Sequence, residues 1–231
     1  MASSLKHRTL SSAIVEQLRQ SILDGTHEAG TQLRQDFLAE QYGVSRIPVR
    51  EALFQLEAEG LVRIIPHKGA VVSGLSLEEI NDVFDLRLML EPRLLAQSGP
   101  RLAAKDFERV DEMHAAFSAA IAARDTSQFG VLNARFHLAL YARAELPRTE
   151  GIVAGLLQVS ERYTRLQLAT LPAMRRAESD HAHLRTLCRE GAFAEACTFL
   201  RDHIEAVRGD LVRMVAEKLG MAGQKAEATA G

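Results

Sequence analysis

Hydrophobic residues near the start of the chain recur every three or four positions, which is the spacing of one face of an α-helix. Each of these stretches is followed by a glycine, and glycine commonly ends a helix. Ser45 stands immediately before the third stretch, where a serine side chain can cap the first turn. The pattern therefore predicts three consecutive helices, over residues 10–24, 36–42 and 46–59.

The periodicity changes after Gly60. Residues 61–65 (LVRII) and 70–72 (AVV) are two runs rich in β-branched side chains, and the segment PHKG separates them. Two such runs around a short polar turn predict a β-hairpin. Three helices and a hairpin make a self-contained module, so we assign residues 1–75 to a first domain.

From Ser76 onward the pattern predicts helices only. Residues 76–79 (SLEE) form a capping box at the start of the first of them. We assign residues 76–219 to an all-α antiparallel helical bundle and residues 220–231, which are small and polar, to a disordered tail. The predicted helices are 76–97, 104–123, 127–143, 148–170, 173–190 and 192–218.

The composition agrees with a mainly α protein that folds in water. Of the 231 residues, 47% are hydrophobic and 25% are charged, as in ordinary globular domains. We find no signal peptide and no run of about 20 apolar residues that would span a membrane. We therefore expect a cytoplasmic protein in which Cys188 and Cys197 are reduced thiols, although a disulfide between them is an alternative.

Charge is informative in its distribution rather than in its sum, because the first domain carries eight basic and eight acidic residues. The segment GVSR is typical of the turn of a helix-turn-helix, and the next helix places Arg46 and Arg50 on one face. Arginine can donate two parallel hydrogen bonds to guanine in the major groove. Arg63, His67 and Lys68 lie on or near the hairpin tip, within reach of phosphate. The alternative is that these are ordinary solvated charges.

The stretch GVSRIPVREALFQLEAEGLVRIIPHKGAVVSGLS resembles the winged helix-turn-helix of the GntR family of transcription regulators. The helical remainder is similar to the FCD effector domain of the family's FadR subgroup, and the two matches together cover about residues 10–215. The resemblance implies that Arg46 and Arg50 read bases, with Ser45 at the same interface. It also implies that His67 and Gly69 belong to a wing tip that enters the minor groove.

Three histidines of the second domain are candidate metal ligands. His137 lies on one predicted helix, and His181 and His203 lie on two others. Imidazoles from three helices of a bundle can converge on one interior point, where they suit zinc or nickel. Spacing alone leaves open that they are surface or core residues. The FCD resemblance implies that all three are ligands, and it leaves His114 and His183 outside the site.

Asn133 stands where the FCD pattern usually has an aspartate that ligates the metal, four residues before His137. An amide oxygen can still ligate a metal, but it brings no negative charge. We therefore expect weaker metal binding and a stronger attraction for an anionic effector at the open coordination positions.

Arg87 is the residue that we expect to bind an effector, because a guanidinium can hold a carboxylate through two hydrogen bonds. The alternative, which can coexist with this role, is an Arg87–Glu91 ion pair four residues apart on a helix, and such pairs stabilise a helix by about 0.2–0.5 kcal/mol. Tyr141 and Arg162 are further candidates for contact with the effector.

The sequence predicts a DNA-binding regulator rather than an enzyme, and the resemblance implies that it is a dimeric repressor. Such a dimer would bind an inverted repeat in operator DNA. A small organic acid would bind its helical domain beside a divalent metal. One alternative is a metal-responsive regulator without an organic effector. A metal-dependent hydrolase is disfavoured because no general base accompanies the histidines.

Overall fold

The computed structural model describes residues 2–23, 26–66, 69–74, 76–168 and 170–229. The chain divides into two compact units, residues 1–75 and 76–231. Among the described residues, none of the helices is both long enough and apolar enough to cross a membrane.

In its described residues the first unit contains three helices and a small antiparallel sheet, which confirms the predicted winged helix-turn-helix. The sheet has the strand order β1-β3-β2. Its first strand was missed in the sequence because it is only two residues long. The elements are α1 (Ala2–Leu23), β1 (Gln32–Leu33), α2 (Gln35–Tyr42), α3 (Arg46–Ala58), β2 (Val62–Ile65) and β3 (Gly69–Val72).

Helix α3 is the centre of the first unit. Its side chains Val49, Leu53 and Leu56 are completely buried, and they belong to one core with Ile14 and Leu18 of α1. Helix α1 starts at Ala2, about two turns earlier than the predicted start at residue 10. The intervening residues include neither proline nor glycine, so nothing in their sequence stops the helix.

The second unit is a bundle built, in the described part of the chain, from six α-helices. Helix α4 packs against α9 and α7, and α6 packs against α5 and α7. The predicted cap is present, since the backbone N–H of Glu79 donates to Ser76 Oγ at 3.1 Å. The helices are α4 (Leu77–Ser98), α5 (Ala104–Ala123), α6 (Phe129–Leu140), α7 (Pro147–Gln167), α8 (Leu171–Arg189) and α9 (Phe193–Thr229).

The end of the chain corrects the predicted disordered tail. Helix α9 continues to Thr229 instead of ending near residue 218. Small and polar residues suggested disorder, but alanine, glutamine, lysine and glutamate are also strong helix formers. The two glycines in this segment each disfavour the helix by only about 1 kcal/mol relative to alanine.

Candidate functional site

The two arginines predicted to read DNA lie on the exposed face of α3. Arg46 is the first residue of the helix and Arg50 lies one turn later, both exposed to solvent. Ser45 occupies the capping position, but its side chain makes no capping hydrogen bond. Arg46 Nε lies 2.5 Å from Asp36 Oδ1, in an ion pair whose side chains are 71% and 57% exposed.

The acidic residues of α3 and its C-terminal end are engaged elsewhere in the first unit. Glu51 accepts a hydrogen bond from a serine of α1 at 2.6 Å. Glu57 accepts from the backbone N–H of Ile64 in the hairpin at 2.7 Å. Glu59 is 7% exposed and pairs with Arg19. These carboxylates therefore stabilise contacts within the first unit. The unit has equal numbers of acidic and basic residues, yet the exposed face of α3 can still present arginines.

The structure of the hairpin explains why one of the predicted wing residues is a glycine. Gly69 has a φ of +93°, and a Cβ at this position would lie 2.3 Å from the carbonyl oxygen of Leu33 in β1. Only glycine fits there. Arg63 is exposed on β2, whereas His67 and Lys68 lie outside the described residues.

Sequence reasoning missed Arg34. This exposed residue immediately precedes α2 and lines an open groove of about 730 Å³ together with Arg46 and residues of the hairpin. Arg34 belongs to no helical repeat with Arg46 and Arg50. Only the fold brings it to the same groove, so the local spacing gave no signal.

The three candidate histidines come together in the second unit. One nitrogen from each of His137 on α6, His181 on α8 and His203 on α9 lies within 4.8 Å of the others. Their ring centres are 5.3–5.8 Å apart, and their exposed fractions are 0%, 0% and 7%. Imidazoles from three helices of the bundle therefore converge, as predicted.

Carboxylate groups lie beside the Nδ1 atoms of two of these rings. His137 Nδ1 lies 3.2 Å from Glu91 Oε2, and His203 Nδ1 lies 2.9 Å from Asp180 Oδ2. Carboxylates that accept from one imidazole nitrogen orient the ring and leave the other nitrogen available. Within the described residues, His137 Nε2 has no hydrogen-bond partner.

His181 is the least compensated of the three. Neither of its ring nitrogens has a partner among the described residues, although the side chain is completely buried. Its ring stacks on Phe136 at 4.2 Å and lies 4.8 Å from Phe117. Burial lowers the pKa of His181 well below its ordinary value, so the imidazole is neutral at pH 7. Leaving a buried polar atom unpaired costs about 1–3 kcal/mol.

The donor set fits a divalent metal of the zinc or nickel type. Neutral imidazole nitrogens are the ligands that such ions bind, and burial lowers the pKa of His137 as well. A metal in this position would bind nitrogens of His137 and His181 that have no hydrogen-bond partner in the described part of the unit. His114 and His183 do not belong to the cluster, and His183 packs edge-on against Phe199.

Arg87 and Glu91 form a buried pair rather than a surface pair. Arg87 Nε lies 2.6 Å from Glu91 Oε1, and the residues are 3% and 0% exposed. Burial alone would raise the pKa of Glu91, but the Arg87 guanidinium and the His137 hydrogen bond hold that pKa well below its usual range. Sequence spacing suggested the pair, but it gave no indication of its depth.

Tyr141 is buried beside the Arg87–Glu91 pair. Its hydroxyl donates to Glu91 Oε2 at 2.7 Å, and the side chain is 1% exposed. It is not among the residues that line the adjacent cavity. Tyr141 therefore supports the Glu91 carboxylate, and its contact with an effector stays a prediction.

A narrow cavity lies between α4, α6, α7, α8 and α9, and its lining includes Arg87, Asn133, His203 and Gln167. Its volume of about 10 Å³ is close to the smallest space that holds one water molecule. The predicted anion-binding arginine, the amide that replaces the family's aspartate and one candidate metal ligand thus share one space. The side chain of Arg162 lies outside the described part of the chain.

The two cysteines are both free, with Cys188 buried and Cys197 half-buried. Burial raises the pKa of the Cys188 thiol to about 12. Cys188 is therefore a protonated thiol at pH 7 rather than a thiolate ligand.

Comparison with known families matches both units. Residues 10–72 match the model "Bacterial regulatory proteins, gntR family", and residues 82–206 match the FCD domain. An uncharacterised HTH-type transcriptional regulator, BphR of Paraburkholderia xenovorans, is 33% identical over 208 residues, which is 86% of this chain and 84% of that protein.

Two further comparisons agree. The gluconate operon transcriptional repressor of Bacillus licheniformis is 34% identical over 52% of this chain, and the match spans only 49% of that repressor. A crystal structure of a GntR family member from Pseudomonas syringae pv. tomato is 34% identical with a TM-score of 0.55, covering 93% of this chain and 90% of the other. The chain therefore belongs to the GntR family of bacterial regulatory proteins, in the FadR-like subgroup that carries a C-terminal FCD domain.

Proposed function

We propose that this protein is a DNA-binding transcription repressor whose FCD unit holds a divalent metal and senses a small carboxylate beside it. The observation that carries the proposal is the buried group of three converging imidazoles, next to a buried arginine. Two of the three, His137 and His181, have ring nitrogens without a hydrogen-bond partner among the described residues. Similarity to proteins named as transcriptional regulators and repressors supports the regulatory role over a hydrolytic one.

The DNA-binding part rests on the exposed arginines of α3, because the acidic residues of the same helix and of its C-terminal end pair with other parts of the first unit. Two copies related by a two-fold axis would place two such helices on an inverted repeat. A duplex selected from a randomised library by the full-length protein serves as the probe. Arg50→Ala should weaken binding of this duplex by about 1–3 kcal/mol, roughly 5- to 150-fold.

Fluorescence anisotropy at fixed salt measures this loss, because affinity for DNA depends strongly on salt. Arg109→Ala removes a solvent-exposed arginine of α5, in the other unit, and should leave the affinity unchanged. Equal affinities for the Arg50 variant and the parent protein would remove Arg50 from the interface.

The metal-binding part predicts that each chain, once stripped with a chelator, binds one Zn²⁺ or Ni²⁺ ion in isothermal calorimetry. His203→Ala should lower that affinity by more than the roughly 10- to 100-fold that partners of metal ligands contribute. His183→Ala, on an exposed histidine of the same unit, is the matched control. A parent protein that binds neither ion would refute the metal site.

The effector part rests on charge. A bound divalent ion would supply positive charge to a cavity that already contains Arg87, and neutral Asn133 does not offset it. Coupling between effector and DNA in regulators is typically about 1–3 kcal/mol. We therefore expect a member of a panel of mono-, di- and tricarboxylates to weaken the complex of metal-loaded protein and selected duplex by roughly 5- to 150-fold.

The same titration separates the rival regulator. If zinc or nickel alone changes DNA affinity by this amount and no carboxylate adds to it, the protein is a metal-responsive regulator. If a carboxylate changes DNA affinity only in the metal-loaded protein, the proposed function stands.

A further inference from the structure

Glu91 is the junction of the polar network in the second unit. One carboxylate oxygen, Oε1, accepts from Arg87 Nε at 2.6 Å. The other oxygen, Oε2, accepts from the Tyr141 hydroxyl at 2.7 Å and lies 3.2 Å from His137 Nδ1. The residue is completely buried, so protein groups rather than bulk solvent satisfy this charge.

The arrangement has a consequence for the proton on His137. A buried, ionised carboxylate can only accept hydrogen bonds. The Tyr141 hydroxyl also lies 3.3 Å from His137 Nδ1, but it donates its hydrogen to Glu91, so Nδ1 must carry the imidazole proton. The hydrogen then sits on Nδ1, and the lone pair is on Nε2, the nitrogen without a partner among the described residues. Glu91 thus determines which nitrogen of His137 is available to the cluster.

The same carboxylate determines how Arg87 is presented. Glu91 engages Nε, and no hydrogen bond to a described residue uses the terminal amino groups of Arg87. Arg87 also lines the narrow cavity. Pinning Nε leaves the two-pronged end of the guanidinium available for an anion.

We propose that Glu91 is a positioning residue that couples the two halves of the sensing site, by fixing the Nδ1–H tautomer of His137 and by holding Arg87 at the cavity. The inference rests on the proposed function, since it gives Glu91 a role towards the metal ligand and towards the anion-binding arginine. Tyr141 assists by donating to the oxygen that His137 shares.

Asp180 provides an internal comparison. It engages His203 Nδ1 at 2.9 Å, but its side chain is 24% exposed and it pairs with no arginine among the described residues. Asp180→Asn should therefore weaken metal binding without changing the hydrogen bond of Arg87 Nε. Glu91→Gln should weaken metal binding and also remove the normal hydrogen bond of Arg87 Nε.

The experiment uses the full-length protein with three readouts. Nitrogen-15 NMR of the metal-free chain reports the tautomer of His137, and the Nε–H resonance of Arg87 reports its hydrogen bond. Calorimetry with Zn²⁺ reports the metal affinity. In Glu91→Gln we expect loss of the single Nδ1–H tautomer, loss of the shifted Arg87 Nε–H resonance and about 10- to 100-fold weaker zinc binding.

Glu59→Gln is the matched control, because it neutralises the carboxylate of the buried arginine–glutamate pair in the first unit. It should leave all three readouts unchanged. If Glu91→Gln does not fold, the double variant Arg87→Met, Glu91→Gln removes both charges and leaves no unpaired buried ion. The double variant should still lose the single tautomer and bind zinc about 10- to 100-fold more weakly.

The outcomes separate the inference from the proposed function. If the parent protein binds zinc and the variants keep both the parental tautomer and the parental affinity, the inference is overturned and the metal site stands. If the parent protein binds neither Zn²⁺ nor Ni²⁺, the metal site is overturned. The tautomer and the Arg87 resonance in the metal-free chain then still decide whether Glu91 positions these two residues.

Discussion

The described part of each unit contains a shielded arginine–glutamate pair, and the two pairs differ in what the second carboxylate oxygen contacts. In the first unit both oxygens of Glu59 go to Arg19, at 2.7 and 2.8 Å, and the pair fastens α1 to the end of α3. In the second unit Glu91 gives one oxygen to Arg87 and the other to Tyr141 and His137. Further partners of the first pair, Glu16 and Gln55, lie on the two helices that it joins, whereas the second pair contacts a candidate metal ligand.

The same contrast holds for the two units as wholes. The first unit displays Arg46 and Arg50 on its surface over an apolar core. The second unit buries imidazoles, a carboxylate and a guanidinium. Exposed charges need only a rigid scaffold, whereas buried polar groups reduce stability unless they are paired or bind a ligand. A site that excludes water therefore has to be assembled from several helices at once.

The largest expected effect tests the buried pair. Arg87→Met leaves the Glu91 carboxylate in the interior without its cation, and breaking a buried ion pair in this way costs about 3–5 kcal/mol. Urea unfolding of the metal-free chain, followed by circular dichroism, measures the change in free energy. Arg109→Met breaks an exposed pair with Glu112 and should cost less than about 1 kcal/mol.

Arg19→Met sharpens the comparison between the units. The Arg19 side chain is 18% exposed, so water can reach the vacated position beside Glu59 more easily than at Arg87. We expect a loss of about 1–3 kcal/mol, the typical cost of one unsatisfied buried group. Equal losses of unfolding free energy in Arg19→Met and Arg87→Met would contradict this comparison. The Arg87–Glu91 pair would then be no more sensitive than a pair that only joins two helices.

An intermediate effect is expected at Asn133. Asn133→Asp adds a negative charge to the cavity beside His203, so zinc binding in calorimetry should tighten by about tenfold, or 1.4 kcal/mol. Binding of a carboxylate to the metal-loaded variant should weaken, because part of the metal charge is compensated. Identical zinc affinities in the variant and the parent protein would place Asn133 outside the set of ligands.

The features that the sequence predicted well are local ones. Arg46 and Arg50 are four residues apart on a helix, so spacing alone put them on one face. The helices of the second unit also followed from local periodicity, with α5 matching its predicted range of 104–123. The histidines needed more than spacing. The family resemblance supplied their order, and the bundle brings them within 4.8 Å.

The features that the sequence did not reveal depend on contacts between distant segments. Glu91 and Tyr141 are 50 residues apart in the chain, and Asp180 and His203 are 23 apart. No local pattern marks a carboxylate that accepts from a histidine on another helix. Arg34 was missed for the same reason, because only the fold places it in the groove with Arg46.

The smallest expected effect concerns the exposed ion pair of the first unit. Asp36 holds Arg46 at 2.5 Å, so DNA must compete with this carboxylate for the arginine. Because both side chains are more than half exposed, the pair is worth only about 0.2–1 kcal/mol. Asp36→Asn should therefore strengthen binding of the selected duplex by at most about fivefold and leave the stability in urea nearly unchanged. Glu28→Gln, on an exposed acid that does not line the groove, is the control in the same anisotropy assay. Weaker binding by the Asp36 variant would mean that the carboxylate holds Arg46 in its DNA-binding orientation. The exposed arginines of the first unit would then depend on a positioning carboxylate, just as the buried residues of the second unit do.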